Sequence, residues 1–384
     1  MIKLDSNIYD DIKEEYVEEI IFKIKRNYKL FSLDTTPRFD NILPKDLFET
    51  DGEFDEEKIK DILLVNFNDI EKNNSLIVNY IKTAQLIYYG NFKVDTVLVN
   101  RGISKTHTNR VEYRKEYVNK YKNPWILKYI SNNQIYESNK NFTKFISLLK
   151  DEIYKFNIEI NKIIKYEYLD SKLRHKIITS SNITVCPYCN RQYISWFHYE
   201  NNYKKTTADL DHFYPKSSFP LLALSLYNFV PSCQICNQRF KGRKVKKILY
   251  PFTNEFGDDA KFKVKIKDID GYYGDTDRFN LDIDINPKSN IKEEIENSVE
   301  MFQLKSLYES HKSYVGEILL KENVIYTNSY LNMVKDTFDK LHLSREQMDI
   351  FLYGFNEYEE IYKDNKPLGK LTRDILKTYI EVKK

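Results

Sequence analysis

The chain has 384 residues, and 41% of them are hydrophobic, with 31 Tyr and 23 Phe. This composition excludes a disordered chain and is sufficient for two or three folded domains. The formal net charge of +3 is too small to indicate a partner by itself. The first residues do not resemble a signal peptide, and no apolar run is long enough to cross a bilayer. We therefore expect a cytoplasmic protein without a membrane partner.

Residues 1–180 are predicted to be mostly helical. Helix candidates are Tyr16–Lys29 and Asp55–Tyr89. The stretch from Trp125 to Val185 contains neither Gly nor Pro, so one or two long helices can run through it. Within this stretch, apolar residues recur at steps of three and four and predict one buried helix face. They are Phe142, Phe145, Leu149, Ile153, Phe156, Ile160 and Ile163.

The distribution of proline changes at Cys186. Five of the ten prolines lie between residues 187 and 251, which predicts turns and short strands in place of long helices. Strand candidates are Thr206–Asp211 and a shorter segment around Phe229–Pro231, and a helix can begin near Cys233. The predicted order of elements in this region is strand, strand, helix.

Alternating apolar and charged residues follow this region. From 261 to 267, lysines alternate with apolar residues. From 279 to 285, apolar residues alternate with polar ones that include Asp282 and Asp284. The pattern predicts a hairpin with one buried face and with lysines opposite aspartates. The later helix candidates include a capping box formed by the first and fourth residues of Ser344-Arg-Glu-Gln347. These candidates are Ile295–Leu320, Ser329–Leu341 and Ser344–Phe355.

The four cysteines of the chain fall into two matched pairs. Cys186 and Cys189 form one C-x2-C motif, and Cys233 and Cys236 form the other. In a reducing compartment, paired cysteines are expected to be metal ligands before disulfides. Two such motifs are typical of a structural zinc site with four thiolate ligands. The alternative is four free thiols in the core, which two regular C-x2-C pairs make the weaker interpretation.

Polar residues capable of acid–base and metal chemistry lie between and beside the two pairs. His212 has an intrinsic pKa suited to accepting a proton from water near neutral pH. Asp211 and Asn237 offer oxygen atoms, which suit a hard cation such as Mg²⁺ or Mn²⁺. Adjacent strand residues point to opposite faces, so Asp211 and His212 need a twist or bulge to serve one site. Asp209, two residues earlier, is a possible second acid.

This region resembles the HNH, or ββα-metal, endonucleases. The resemblance is carried by four motifs: C-P-Y-C at 186–189, D-L-D-H-F-Y-P-K-S at 209–217, L-Y-N at 226–228 and P-S-C-Q-I-C-N at 231–237. It implies that His212 is the general base and that Asn228 holds it through the backbone of the hairpin. It also implies that Asp211 and Asn237 bind a catalytic Mg²⁺ or Mn²⁺ beside a structural Zn²⁺. Lys241 follows Asn237 after three residues, whereas a lysine usually follows the last Asn of the family more closely.

The resulting prediction is an α+β protein, mostly helical, with a zinc-bound ββα-metal (HNH) nuclease module and a small β-hairpin. Residues 1–180 form a helical region of unknown role, and residues 181–256 form the nuclease module. Residues 257–290 form the hairpin, and residues 291–384 form a second helical region.

Basic charge is concentrated around the cysteines. Residues 186–250 contain ten Lys or Arg against three Asp or Glu. Such a surplus predicts contact with a polyanion, most simply the phosphates of DNA, although a solvated basic loop is the alternative. The predicted nucleic-acid-binding residues are Lys216, Arg239, Lys241, Arg243, Lys244, Lys246 and Lys247.

A second resemblance lies near the end of the chain. The segments L-Y-E-S-H-K at 307–312 and P-L-G-K-L-T-R-D-I at 367–375 are similar to the tail of bacterial HNH proteins from anti-phage systems. Those proteins include the nuclease subunits of Septu-type and retron-associated systems, which work beside an ATPase. The resemblance implies an ATPase partner and a role in antiviral defence.

Two other classes of protein remain open from the sequence. A non-enzymatic zinc protein that binds nucleic acid would account for the cysteines and the basic charge, but it does not need Asp211, His212, Asn228 and Asn237 together. A free-standing restriction-type HNH nuclease would use residues 1–180 for recognition. A homing nuclease is disfavoured because no repeated DNA-reading module is visible.

Overall fold

Helices make up most of the chain, and the strands form a few short antiparallel pairs, as expected for an α+β protein. The computed structural model describes residues 1–39, 41–65, 67, 75–90, 92–198, 204–354 and 366–383. The first group of helices is α1 (Lys13–Tyr28), α2 (Glu56–Leu63), α3 (Leu76–Tyr88), α4 (Val94–Asn100), α5 (His107–Lys120), α6 (Leu127–Ile130), α7 (Gln134–Glu137), α8 (Asn139–Ile163) and α9 (Ser171–Ser180). The second group is α10 (Ile269–Tyr272), α11 (Lys292–Met301), α12 (Leu304–Tyr308), α13 (Lys312–Leu320), α14 (Asn328–Lys340), α15 (Arg345–Tyr353) and α16 (Gly369–Lys383).

The long helix α8 carries the apolar stripe that the sequence predicts. The hydroxyl of Ser138 caps its first turn by accepting a hydrogen bond from the backbone N–H of Asn141 at 3.1 Å. All seven apolar residues of the stripe are buried. The helix ends at Ile163, and the one-turn helix Tyr166–Tyr168 follows it directly. The end of α8 therefore determines where Tyr166, the first residue of this short helix, lies.

The predicted helix Asp55–Tyr89 is divided into α2 and α3. The carboxylate of Asp55 accepts hydrogen bonds from the first turn of α2, and the hydroxyl of Ser75 accepts one from the first turn of α3. Each residue therefore starts a new helix, which the apolar periodicity alone did not indicate. Residues 66 and 68–74, between the two helices, lie outside the described residues. The predicted helix Tyr16–Lys29 corresponds to α1.

Among the residues that the structure describes, the strands form four antiparallel pairs. They are β1 (Glu49–Thr50) with β2 (Glu53–Phe54), β3 (Trp196–His198) with β4 (Lys204–Thr206), β5 (Ala208–His212) with β6 (Phe229–Cys233), and β7 (Ala260–Ile266) with β8 (Phe279–Ile285). In the third pair, Asp211 lies opposite Val230 and His212 lies opposite Phe229. A π-helical segment, Ile235–Lys241, follows β6. The predicted order of strand, strand and helix is therefore present.

The predicted hairpin is the pair β7–β8, with lysines opposite aspartates. Lys263 lies opposite Asp282 in the register, and Lys265 forms an ion pair with Asp282. Beyond the hairpin, the predicted helix Ile295–Leu320 is broken, because Gln303 adopts a left-handed conformation with φ 50° between α11 and α12. The capping box of Ser344 and Gln347 is formed at the start of α15.

The main hydrophobic core contains side chains from all four regions predicted from the sequence. Two buried tyrosines connect the first region to the strand pair β5–β6. The hydroxyl of Tyr9 donates to the carbonyl of Phe229 at 2.9 Å, and that of Tyr16 donates to the carbonyl of Leu224 at 2.6 Å. The N-terminal helical region is therefore packed directly against the elements that carry the candidate site. Within the described part of the chain, no helix has the length and apolarity needed to span a bilayer.

Candidate functional site

The four cysteines lie together in the core. Their Sγ atoms are all within 4.8 Å of one another, and all four residues are buried. Among the described residues, this is the one group of three or more His, Cys, Asp or Glu side chains that could hold a metal ion. Hydrogen bonds from the other three thiols, first that of Cys186, hold the pKa of Cys189 well below its ordinary value. Burial raises the pKa of Cys186, and hydrogen bonds from the other thiols, first that of Cys186, raise the pKa of Cys236. The identity and spacing of the four sulfurs therefore make the donor set suitable for a cation such as Zn²⁺.

The first cysteine pair is supported by a buried asparagine. The backbone N–H of Asn190 donates to the carbonyl of Cys186 at 2.8 Å, and Asn190 adopts a φ of 50°. Its side-chain oxygen accepts from the backbone N–H of Lys370 at 3.0 Å, and its carbonyl accepts from that of Leu368 at 2.6 Å. The start of α16 is therefore fixed to the turn that carries Cys186 and Cys189.

A tyrosine supports the same turn from α12. The hydroxyl of Tyr308 is buried and donates to the carbonyl of Cys189 at 2.7 Å. Nearby, the guanidinium of Arg191 donates to Nε2 of His311 at 2.9 Å. Of the two segments that carry the second resemblance, 307–312 contacts Cys189 and 367–375 contacts Asn190, the next residue. Their residues have a structural function in holding this turn.

His212 is the last residue of β5, and one nitrogen of its ring forms a hydrogen bond with the protein backbone. Nε2 lies 3.0 Å from the carbonyl of Ala223. Since a carbonyl can only accept, Nε2 carries the proton and Nδ1 is left as the acceptor of the neutral ring. Burial lowers the pKa of His212 to about 4, so the ring is neutral at pH 7. His212 also lines a cavity of about 590 Å³.

Asn228 holds the loop that carries Ala223. Its side chain is fully buried and accepts from the backbone N–H of Tyr214 at 2.7 Å. It donates to the carbonyls of Leu222 at 2.9 Å and of Tyr214 at 3.1 Å. Leu222 immediately precedes Ala223, whose carbonyl accepts from His212. Asn228 is thus connected to His212 through the backbone of the loop, the arrangement that the resemblance implies.

Asp211 is buried and forms two hydrogen bonds. Oδ1 accepts from the ammonium of Lys241 at 2.9 Å, and Oδ2 accepts from the hydroxyl of Tyr188 at 2.6 Å. Lys241 also donates to the carbonyl of His212. Asp211 lines the same 590 Å³ cavity as His212, although the two residues are adjacent on one strand. Among the predicted phosphate-contacting residues, Lys241 differs from the others because it is buried, at 2% exposed, and its ion pair with Asp211 is buried with it.

Asn237 lines this cavity from the π-helical segment. Its side-chain amide donates to Oδ2 of Asp209 at 3.0 Å, and Gln238 donates to the same oxygen at 2.9 Å. Asp209 therefore orients the amide of Asn237 and leaves the amide oxygen as the group that can bind a ligand. In this arrangement Asp209 is a hydrogen-bond acceptor behind Asn237.

The predicted basic residues are divided by their partners. Arg239, Arg243 and Lys244 are exposed. Lys246 pairs with Glu300 at 2.5 Å, and Lys247 pairs with Glu294. Arg243 and Lys216 also line the 590 Å³ cavity. The exposed part of the cluster is therefore smaller than the sequence indicates, and two of its residues, Lys216 and Arg243, share the cavity of His212.

Two tyrosines of the site were not singled out from the sequence. Tyr188 lies between the first two cysteines, and its hydroxyl donates a hydrogen bond to Asp211. Its position inside the C-x2-C motif could have indicated that it lies close to the site. Tyr166 comes from the N-terminal helical region, and its ring centroid lies 5.0 Å from that of His212. Its ring is also 3.5 Å from the ammonium of Lys216. Nothing in the local sequence around Tyr166 indicates this contact.

Comparison of the chain with protein-family models finds no match. Comparison with curated proteins and with solved structures finds none either.

Proposed function

We propose that this chain is a metal-dependent endonuclease of the HNH type, which hydrolyses phosphodiester bonds of nucleic acid. One observation carries the proposal. Asp211, His212 and Asn237 line a single cavity, and the imidazole of His212 is held with Nε2 protonated and Nδ1 as an acceptor. A neutral histidine in that state can accept a proton from water, although burial makes its ring a weaker base than a free imidazole.

The four cysteines are proposed to hold a structural Zn²⁺. Four buried sulfurs within 4.8 Å of one another fit the tetrahedral thiolate sites that zinc prefers. Such an ion would tie the turn at Cys186 and Cys189 to the end of β6 and to the π-helical segment. Asn237 lies directly after Cys236, so the zinc would also fix the position of a proposed catalytic residue.

Asp211 and Asn237 are proposed to hold a catalytic Mg²⁺ or Mn²⁺. Both residues offer oxygen donors, and each oxygen of Asp211 that accepts one hydrogen bond retains a second lone pair. The donor set therefore fits a hard cation. When bound, such a cation supplies positive charge that stabilises the phosphoryl transition state.

The proton transfer can be assigned to named atoms of the chain. Nδ1 of His212 accepts a proton from the attacking water, and the resulting hydroxide attacks phosphorus while the P–O bond to the leaving group breaks. The imidazolium that forms keeps its Nε2–H on the carbonyl of Ala223, which stabilises the positive charge. The leaving oxygen takes a proton from solvent.

The substrate is proposed to be nucleic acid, with DNA as the first choice. Arg243 lines the cavity, and Arg239 and Lys244 are exposed near it in sequence, so all three can contact phosphates without reading bases. The rival function is a zinc protein that binds nucleic acid without cleaving it. The bonds that orient His212 and Asn237 favour the enzyme, because a binding module does not need them.

An ATPase partner and a role in antiviral defence are proposed from the second resemblance. A specific surface supports docking of a protein. Helices α14 and α15 form a small core of their own around Tyr326, Val334 and Leu352. Their outer side exposes the large apolar side chains of Met333, Leu341 and Phe351. A free-standing restriction-type nuclease is the alternative.

Cleavage by the purified chain tests the proposed function. Plasmid, linear DNA and tRNA are incubated with Mg²⁺ or Mn²⁺, and again after brief treatment with EDTA that leaves the zinc in place. We expect cleavage with either cation, and a loss of about 10² to 10⁴ in rate for His212→Ala with binding retained. His107→Ala, which removes an exposed imidazole, is the matched control. Cleavage at the rate of the unmodified protein by His212→Ala would exclude the proposed mechanism.

A further inference from the structure

A second cavity lies beside the one that contains His212. The first has a volume of about 590 Å³ and the second about 500 Å³. Tyr166, Leu210 and Asn237 line both of them. The two cavities are therefore neighbouring parts of one groove, which crosses β5 on either side of Tyr166.

The second cavity combines an exposed aromatic ring with two cationic side chains and with one carboxylate, Asp209, which accepts hydrogen bonds from Asn237 and Gln238. Phe197 of β3 lines it, and its side chain is 43% exposed. Lys205 of β4 lies opposite Phe197 in the strand register and lines the same cavity. Residues directly opposite each other in an antiparallel pair share one face, so the ring and the ammonium group border the same space. Arg174 of α9 lines the other side.

Tyr166 connects the charges of the two cavities. The ammonium of Lys216, which lines the first cavity, lies 3.5 Å from the centre of the Tyr166 ring. The guanidinium of Arg174, which lines the second, lies 5.7 Å from the same centre. Both distances are within the range of cation–π attraction. A single ring thus holds one cation in each half of the groove, beside the imidazole of His212.

The dimensions and chemistry of the groove favour one form of nucleic acid. Cavities of about 300–1,000 Å³ are typical of sites for small ligands, and each half of the groove falls within this range. A basic groove with an exposed aromatic ring is the usual means of binding a single strand, because an unpaired base can stack on the ring. The bases of an intact duplex are already stacked and paired, so they cannot use Phe197.

We propose that the two cavities form a binding groove for a single strand of nucleic acid, with one base stacked on Phe197 and neighbouring phosphates on Arg174, Lys205 and Lys216. The strand then crosses Tyr166 and presents one phosphodiester to His212. The assignment of that phosphodiester to the first cavity rests on the proposed nuclease function. The assignment of the strand to the groove rests on Phe197 and the cations and can be measured without cleavage.

Binding is measured by fluorescence anisotropy with the full chain carrying His212→Ala, so that the probe is not cut. The probes are a labelled oligothymidylate and a labelled duplex of the same length, each over a range of salt concentrations. We expect the single strand to bind more tightly. Adding Phe197→Ala should weaken its binding roughly 5- to 100-fold, whereas Phe197→Trp should retain it. Neutralising Arg174 and Lys205 should reduce the slope of log affinity against log salt by about 0.7 for each cation that no longer pairs with a phosphate.

Trp196→Ala is the matched control for the aromatic ring. Trp196 is the neighbouring exposed residue of β3, 48% exposed, and it lines a different small cavity. Its loss should leave binding of the single strand unchanged. Equal binding of duplex and single strand, with no effect of Phe197→Ala, would overturn the groove while leaving cleavage by the unmodified chain intact. Binding that depends on Phe197 in a chain that cleaves no substrate would support the groove and reject the nuclease.

Discussion

The ammonium of Lys241 lies 2.9 Å from Oδ1 of Asp211, and both side chains are 3% exposed. The pair joins the π-helical segment to β5, and the hydroxyl of Tyr188 joins the other oxygen of Asp211 to the first cysteine pair. A buried charge is tolerated only when a partner compensates it. Asp211 is therefore a structural centre of the site as well as a proposed ligand of the catalytic cation.

Replacing Lys241 with Met should destabilise the protein, because the carboxylate of Asp211 would remain buried without its counter-charge. We expect a loss of about 3–5 kcal/mol in the free energy of unfolding, measured by denaturation in urea. The double variant Asp211→Asn with Lys241→Met should recover part of this loss, since neither charge is then buried alone. Lys244→Met, an exposed substitution nearby, should change stability by less than about 0.5 kcal/mol. An equally small effect of Lys241→Met would contradict the importance of the pair.

Removing one cysteine should release the proposed zinc and unfold the region around it. We expect about one zinc per chain by elemental analysis of the unmodified protein, and far less in Cys236→Ser. Structural zinc contributes on the order of 10 kcal/mol in small domains, so circular dichroism should show loss of structure. Gln234→Ala changes an exposed residue between the cysteines and should keep the metal. A well-folded protein that contains no zinc would exclude this site.

Much of the fold could be predicted because its signals are local. The apolar residues of α8 repeat with the period of a helix, and β7 and β8 alternate with the period of a strand. The capping box at Ser344 is a pattern of four residues. The two cysteine pairs could be predicted to lie together because each has the C-x2-C spacing, and four-thiolate zinc sites are built from two such turns.

The contacts that complete the site depend on tertiary packing and could not be predicted in this way. Tyr166 contacts His212 because α8 ends three residues before it. The two residues are far apart in sequence, and no sequence motif links them. The burial of Lys241 could not be seen either, since its neighbours in sequence are exposed basic residues. Lys246 and Lys247 belong to the same run of charge, but their acidic partners lie about fifty residues later in α11.

The exposed basic residues should dominate the electrostatic part of nucleic-acid binding. Neutralising Arg239, Arg243 and Lys244 together should lower the slope of log affinity against log salt by about 0.7 for each side chain that no longer neutralises a phosphate. The matched control neutralises Lys246 and Lys247, whose charges are already paired with Glu300 and Glu294. That change should have a smaller effect on the slope. A larger change in slope for the Lys246 and Lys247 variant would mean that the exposed cluster is solvated and that the paired lysines face the ligand.

The hydroxyl of Tyr308 should stabilise the first cysteine pair. Tyr308→Phe removes a buried donor and leaves the carbonyl of Cys189 without its partner, which typically costs about 1–3 kcal/mol. We expect a lower melting temperature and faster loss of zinc to a chelator. Tyr154→Phe, on an exposed part of α8, is the control and should change neither measurement. An unchanged rate of zinc loss in Tyr308→Phe would show that α12 does not stabilise the metal site.

The proposed ATPase partner should bind through the outer side of α14 and α15. Met333, Leu341 and Phe351 are 59%, 61% and 63% exposed. Phe351 also contacts the ring of Phe338, which packs against the small core, so folding of the variant would be checked by circular dichroism. We expect the unmodified chain to co-purify with an ATPase encoded beside it, and the triple variant to lose that partner while keeping its own cleavage activity.

Polar substitution of Leu148 and Tyr154 removes exposed apolar surface from α8 and is the matched control, which should retain the partner. The complex would be measured by size-exclusion chromatography with light scattering, and nuclease activity would be assayed with and without ATP. A chain that is monomeric, fully active alone and bound to no neighbouring gene product would exclude the ATPase. The free-standing restriction-type nuclease would then be the better interpretation, because control by a partner is the feature that separates the two.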